Sequence, residues 1–546
     1  MAISRRTMGA ECVLRPVMSP YIGPPTRDSL AKMTCICPPE VLWDSFSGQI
    51  FAGQFSVKDL GARLSHKDNP RSIETYISRY PREQITNGLN STINNHSVMA
   101  YVIDTDNPKV VELLLQYCPR LNAYTTGIPL LAFAIMRGIK AGPTNPEIIK
   151  LLLIHGADPL AIPQVMWQDY AKTPTFNPEE GPSSEKWYND SHKQALLKTL
   201  DLSTRYYLWR AHHVGKVEPE KLQIGVALRI TSLFKLPFQI VGQDLSVKLV
   251  VDTVFANITQ NIKKPLVLAL AGASGHGKTE LAHQLGSLLS VPFIALDCTH
   301  LSSTWWLLGS DEWQSNDEHG APLNNFLADN TGKRCVVLLD DFDNMNMDVK
   351  DTLLKIFDHG VYHDRRAADN KQLKIDCQKV IWLLATTTKD PAVSQFVDIV
   401  TSTGNDGKAA ASVSFDIIRR CLEVYFIEQF SAAFTGRIDE IIPFLPFNKN
   451  EQAVLAHRIL REIQGDMKRS FNDIQIDINE EDKICKEIAR KSYKPELGAR
   501  SIRHGMNKLR RGPLLKYFDI KETDRKRKRE IQDDPHARQK VKPDRP

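Results

Sequence analysis

Two rhythms of apolar and polar positions divide this chain. In the second half, short unbroken apolar runs recur at Leu266–Ala271, Phe293–Leu296, Cys335–Leu339 and Val380–Ala385. Each suits a strand buried on both faces, and helical spacing follows the first at Leu281, Leu285, Leu288 and Leu289. Such runs alternating with helices predict a parallel sheet covered on both sides, with ligands at the carboxyl ends of its strands. The first half has a different rhythm. A pattern of Asx-Pro followed by helical apolar spacing begins near Asp68, returns near Asp106, and returns again from Asn145. Self-similarity at this even spacing predicts stacked helical pairs, none of which buries its apolar face alone.

The remaining stretches are read more briefly. Residues 1–59 show no sustained periodicity and form an irregular segment. Residues 60–165 carry the repeats, and 166–235 read as a linker with helices, in which Leu202–His213 predicts an amphipathic helix whose aromatics pack against a neighbour. Residues 236–446 hold the strands, and 447–518 form a small helical domain with one short alternating strand at Ile474–Ile478. Residues 519–546 are charged and poor in apolar groups, which predicts disorder.

A chain of 546 residues needs several cores, and its 42% apolar and 25% charged residues are those of globular proteins. No apolar stretch approaches the roughly 20 residues of a membrane span, so no membrane partner is expected. The nine cysteines are scattered without zinc or disulfide spacing, and a reducing compartment follows. His359 and His363 stand four apart, but Gly360 interrupts them and no third ligand is evident. Residues 521–546 hold ten Lys/Arg against six Asp/Glu, so most of the formal charge of +6 sits in the tail. The body therefore has no general nucleic-acid surface. Within the tail, Arg525–Arg529 suits a nuclear address, a nucleic-acid contact or a solvated charge run equally. Arg5, Arg6 and Arg15 with the single acid Glu11 fit either a mitochondrial presequence or a plain disordered terminus. Location stays open, with a cytoplasmic or nuclear setting preferred.

The candidate chemistry lies where the first strand ends. Gly272-Ala273-Ser274-Gly275-His276-Gly277-Lys278-Thr279 spells G-x-x-x-x-G-K-T between an apolar strand and a helix, the context a phosphate-binding loop requires. Its glycines let backbone N–H groups turn toward phosphate oxygens at a helix N-terminus. Lys278 adds a point charge for the terminal phosphates, and Thr279 a hydroxyl for Mg²⁺. The third run ends in Asp340-Asp341, a Walker B pattern. Asp340 would complete the Mg²⁺ shell, and Asp341 would orient or deprotonate the attacking water. ATP and Mg²⁺ are the expected ligands.

Two resemblances follow from these words. Ile149–Pro159, with its glycine-ended turn, and Ile128–Ala132 resemble parts of ankyrin repeats, which implies a module that binds protein clients. Val241-Gly-Gln-Asp, the phosphate loop, Leu338–Val349, Leu353–Gly360, Phe434–Ile442 and Leu497–Arg503 together resemble the Clp-type AAA+ ATPases of the caseinolytic peptidase B-like branch. The likeness spans about residues 236–515. It implies a multidomain α plus α/β chain, with helical repeats, a P-loop AAA+ module and a small helical lid. It further implies ATP-driven remodelling of proteins by a homo-oligomeric ring, six-membered in the family. Val241 would touch the nucleotide, Arg437 would be the arginine finger given to a neighbouring subunit, and Arg500 would be the sensor-2 residue.

Three departures from that pattern bear on turnover. Asp341 stands where the family has Glu, and one carbon fewer retracts the carboxylate by about 1.5 Å. Misplacement on the order of 1 Å can cost about a hundredfold in rate. Thr386 or Thr387 stands at the sensor-1 position, where the family has Asn. The family's pore loop sets an aromatic between glycines, whereas this chain has Gly309–Gln314, in which Trp313 fits a substrate grip or a core or interface tryptophan equally. An ATP-binding scaffold with weak or absent hydrolysis is therefore the alternative. A P-loop kinase or GTPase is disfavoured by the settings of Arg437 and Arg500.

Overall fold

The computed structural model describes residues 12–16, 55–66, 69–137, 146–174, 187–300, 321–364, 374–387, 407–470, 474–478 and 480–508. The chain forms two compact units. The larger comprises residues 26–448 with 495–498, and the smaller comprises 1–25, 449–494 and 499–546.

The larger unit begins with helices. Val57–Ser65, Pro70–Ile77, Arg82–Leu89, Val98–Asp104, Pro108–Leu115, Leu130–Met136 and Pro146–Ile154 pack through nearly continuous apolar faces. The repeated Asx-Pro words mark helix starts. Asn69 and Asn107 accept from the backbone N–H two residues on, and the following proline occupies the first helical position, where no donor is needed. Two small antiparallel hairpins, Thr92–Ser97 and Tyr124–Pro129, precede helices Val98–Asp104 and Leu130–Met136. The same hairpin-then-helix unit thus occurs twice in succession. His96 and Thr125 join the two hairpins through a buried 3.1 Å contact.

The stretch read as a linker is folded over its described residues, 166–174 and 187–235. Pro159–Ala161 and Gln164–Met166 make tight turns, and fully buried Trp167 donates to the Ile162 carbonyl at 2.9 Å. Helix Leu202–Val214 (α1) also departs from expectation, because it is buried on nearly every side rather than along one stripe. Its two arginines make that burial tolerable. Arg205 donates to the carbonyls of Tyr170 at 3.0 Å and Leu200 at 2.7 Å, so its charge is dispersed over oxygen acceptors.

Beyond it lie helix Asp244–Gln260 (α2) and a five-stranded parallel sheet: β1 Leu266–Gly272, β2 Phe293–Asp297, β3 Cys335–Asp340, β4 Val380–Thr386 and β5 Glu440–Phe444. The spatial order is β5-β1-β4-β3-β2. Every residue of β1 and β4 is buried, as their unbroken apolar runs require of central strands. Register aligns Ala271 with Thr386, Leu339 with Leu384 and Asp297 with Asp340. The polar residues that follow β1, β3 and β4 therefore emerge at one end of the sheet. Helices Lys278–Leu289 (α3) and Met347–His359 (α4) follow β1 and β3.

The smaller unit packs helix Lys449–Ser470 against helix Glu481–Ser492 and residues 499–508, around Ile459, Leu460, Met467, Cys485, Ile502 and Met506. Strand Ile474–Ile478 pairs antiparallel with Cys12–Pro16. Part of the amino-terminal stretch read as irregular is thus a strand, whose hydrogen-bonding partner lies near the other end of the sequence. Among the described residues no helix is long and apolar enough to cross a membrane.

Candidate nucleotide site

The site starts from the backbone of the loop after β1. Gly275 takes φ +76°, in the left-handed region that side chains disfavour, and a Cβ there would lie 2.1 Å from the Leu497 carbonyl oxygen. From the other side, a Cβ on Gly498 (φ +48°) would meet the Gly275 carbonyl oxygen at 2.5 Å. Two glycines are therefore needed for backbone to pass backbone. His276 fixes the same turn from within. Its Nδ1 lies 2.9 Å from the Ser274 carbonyl and 3.2 Å from that of Ala273, while its ring stacks on Phe447. Burial holds its pKa below the ordinary value, so the ring stays neutral beside Lys278.

Lys278 opens α3, and its ammonium donates to the carbonyls of Gly272 at 2.7 Å and Ala273 at 2.9 Å. Its charge is thus held inside the loop. Thr279 donates its hydroxyl to Asp340 Oδ2 at 2.9 Å, across 61 residues of sequence. A hydroxyl and a carboxylate at this separation are hard oxygen donors, a set that fits Mg²⁺. A helix N-terminus with a lysine fits a polyphosphate. The residues present therefore suit the pair of ligands that the sequence implies. Among the described residues no group of three His, Cys, Asp or Glu forms a closed metal cage. Two hard donors with open positions are what a substrate-bridging cation requires. The thiols of Cys298, Cys335 and Cys377 are pushed up to about 12, chiefly by burial, and serve as core groups rather than nucleophiles.

Asp341 follows with φ +52° and its backbone N–H on Asp340 Oδ1 at 3.2 Å. Burial raises its pKa, and the carboxylates of Asp340, Asp343 and Asp297 push in the same direction. The two sensor-1 candidates separate clearly. Thr387 donates to Asp341 Oδ1 at 3.4 Å, with its backbone N–H 3.4 Å from Asp343 Oδ1. The Thr386 hydroxyl is instead buried in the sheet without a hydrogen-bond partner among the described residues. Thr387 joins the acids and Thr386 does not.

Val241 is buried in the segment that passes the loop. Its neighbour Ile240 reaches Gly277, where an added Cβ would sit 3.9 Å from Ile240 Cγ2. Gln243, with φ +54°, closes this strap by a two-way amide bond to the Leu445 backbone at 2.6 and 2.9 Å. The sequence placed Gln243 in its motif but not this pairing, because the partner lies 202 residues on.

Arg437 is the site residue placed apart from the loop. Asp439, two residues on, clasps Val267 at the amino end of β1 through both its backbone N–H and its carboxylate. The phosphate loop follows the other end of the same strand, about 16 Å away by strand rise. Asp358, near the end of α4, holds the Arg437 guanidinium through paired contacts of 3.0 Å. Asp358 had no signal in the sequence. Arg500 belongs to the smaller unit. Trp313, Arg5, Arg6 and the 525–529 charge run lie outside the described residues.

Comparison with known proteins agrees with this arrangement. Residues 263–441 match the family model described as the AAA domain (Cdc48 subfamily). This segment is similar to an AAA domain. The chain containing it is 26% identical over 296 residues to the chaperone protein ClpB of Chlamydia pneumoniae, covering 52% of this chain and 32% of that one. It is 28% identical over 268 residues to the mitochondrial disaggregase of Bos taurus, covering 44% of this chain and 37% of that one. The chain thus matches only about a third of the length of these curated relatives. A closed-state cryo-EM reconstruction of Hsp104 with FITC casein aligns over 73% of this chain and 64% of that one, at 18% identity and a TM-score of 0.39.

Proposed function

We propose that this chain is an ATP-hydrolysing, Clp-like remodeller of proteins, whose amino-terminal helices form an ankyrin-like client-binding module. The contact between Thr279 and Asp340 carries the reading, since it joins the loop to the acidic strand end in the way a magnesium-bound triphosphate needs. When bound, Mg²⁺ would neutralise charge on the terminal phosphate oxygens. The chain's own residues do the rest. Lys278 and the loop N–H groups bind the phosphates, Asp341 takes the proton of the attacking water, and Thr387 keeps that shortened carboxylate in place. Arg437, distant from its own loop, serves the site of an adjoining copy, which requires a head-to-tail assembly. Arg500 is proposed as a further nucleotide contact.

The ankyrin-like assignment is supported by the recurring hairpins that start at Thr92 and Tyr124, each followed by a helix pair. The deciding experiment is steady-state phosphate release with parallel sizing in ATP. Release that depends on Lys278 and Arg437, together with an ATP-dependent increase in size, supports the remodeller. Tight ATP binding with neither would leave a nucleotide-binding scaffold.

A further inference from the structure

The strap beside the phosphate loop is held from outside the AAA module. Arg210 of α1 has no exposed side-chain surface, and one of its nitrogens donates to the Gly242 carbonyl at 2.9 Å, to the Tyr206 phenol oxygen at 2.7 Å and to the Asp244 carboxylate. The same phenol oxygen accepts the Gly242 N–H at 2.9 Å. Both backbone groups of Gly242 are therefore fixed by one helix that lies well before it in sequence. That helix is itself seated on the repeats. Lys150 lies 4.9 Å over the Tyr207 ring and 3.4 Å from Gln239, and Lys235 pairs with Glu112 at 2.6 Å. The strap thus has a firm post behind it and the phosphate loop in front, with Ile240 against Gly277.

Apolar Ile240 and Val241 beside a phosphate cradle suit the base of a nucleotide rather than its phosphates. We infer that Arg210 and Tyr206 are positioning residues for the base side of the pocket, so that a helix outside the AAA module sets the affinity for the adenine ring. The inference rests on the proposed ATP site and adds how its base specificity is held. Neither residue touches the base. They act by fixing Gly242 and Asp244, and hence the pose of Val241.

The test measures dissociation constants of ATP, GTP and UTP for the full chain and its variants, using a fluorescent ATP analogue as reporter. Arg210→Met keeps side-chain volume, and Asp244 is one-third exposed, so water can take up the released carboxylate. Losing a charge-assisted hydrogen bond should weaken ATP by at least about tenfold. The preference for ATP over GTP and UTP should shrink, since a base-blind phosphate loop remains. Arg210→Lys should recover part of the loss. Should Arg210→Met fail to fold, Tyr206→Phe, which removes one oxygen and keeps the ring, takes its place with the same pattern expected. Unchanged ATP affinity in a folded variant overturns the inference. So does an equal loss for all three triphosphates, which would mean that the phosphate loop itself had collapsed. Wild-type protein that binds no triphosphate would instead sink the proposed function, and is told apart because Lys278→Ala would then change nothing.

Discussion

A hydroxyl is worth something only where it has an acid to serve, and two adjacent threonines at the end of β4 make that contrast within one chain. Thr387 supports Asp341, a carboxylate one carbon shorter than the glutamate of the resembling family, and the bond to it limits how far the short acid can swing. Thr386 buries its hydroxyl in the sheet with no partner among the described residues, a situation that costs about 1–3 kcal/mol. The pair predicts opposite outcomes. Thr387→Ala should lower phosphate release by about tenfold or more, with ATP binding nearly intact. Thr386→Val should leave release unchanged and raise the unfolding free energy by about 1 kcal/mol. Phosphate-release assays and thermal unfolding of the two variants check both. A fall in release for Thr386→Val would reverse the assignment. Neither the orphan nor the partner was legible beforehand, because sequence places both at the same strand end and only the pleat decides which one turns inward.

Among the elements, the turn between β1 and α3 depends on a second piece of chain. Gly275 and Gly498 pass each other backbone to backbone, so the glycine of the Leu497–Arg500 motif acts on the phosphate loop by being small. Gly498→Ala puts a Cβ 2.5 Å from a carbonyl oxygen at a positive φ, and one of the two segments must move. ATP affinity should fall by about tenfold or more while the fold of the repeats persists. Nucleotide titration checks the first part and far-ultraviolet circular dichroism the second. Four of the five strands, their parallel pairing and the loop were legible, because unbroken apolar runs and fixed glycine spacing are local signals, whereas β5, Glu440–Phe444, has too short an apolar run to stand out. Helix starts at Pro70 and Pro108 were legible for the same reason. The hairpins were not, since two-residue strands such as Tyr124–Thr125 leave no periodicity to read. Nor was the all-round burial of α1, because Arg205 and Arg210 look like surface residues until the carbonyls they meet are known.

For the molecule as a whole, buried histidines set its response to acid. His96, His155 and His276 all have pKa values below the ordinary 6.5, in each case chiefly because burial disfavours the imidazolium. The unfolded chain therefore takes up protons first, and stability is lost as pH falls below about 6.5. Glu147 is shifted the other way. Burial alone would raise its carboxyl, but Lys150, foremost among its polar partners, holds it below the ordinary 4.5, so its contribution is lost only at lower pH. Thermal unfolding should show a decline beginning between pH 7 and 6, well before the carboxylates titrate. His155→Gln should make that first decline shallower, and a flat profile down to pH 5 would rule the mechanism out.

The assembly prediction follows from where one arginine stands. Arg437 is tied to Asp358 and sits toward the amino end of β1, a strand's length from the loop it would have to serve. A guanidinium so placed cannot reach its own triphosphate without dismantling β5, which pairs with β1 along its whole length. If it acts at all, it acts on another copy. Lys278→Ala removes ATP binding and keeps the arginine, whereas Arg437→Ala keeps ATP binding and removes the arginine. Each should be inactive alone. Mixed in equal amounts and allowed to exchange, an Arg437→Ala site beside a Lys278→Ala neighbour has every group it needs, and random closed rings would contain about a quarter of such sites. Phosphate release should therefore recover to about that fraction of the wild-type rate, provided that neighbouring sites fire independently. Recovery in the mixture is something no isolated subunit can produce. Failure to recover, with exchange verified by labelled subunits, would confine Arg437 to its ion pair with Asp358 and leave the site to work without a partner.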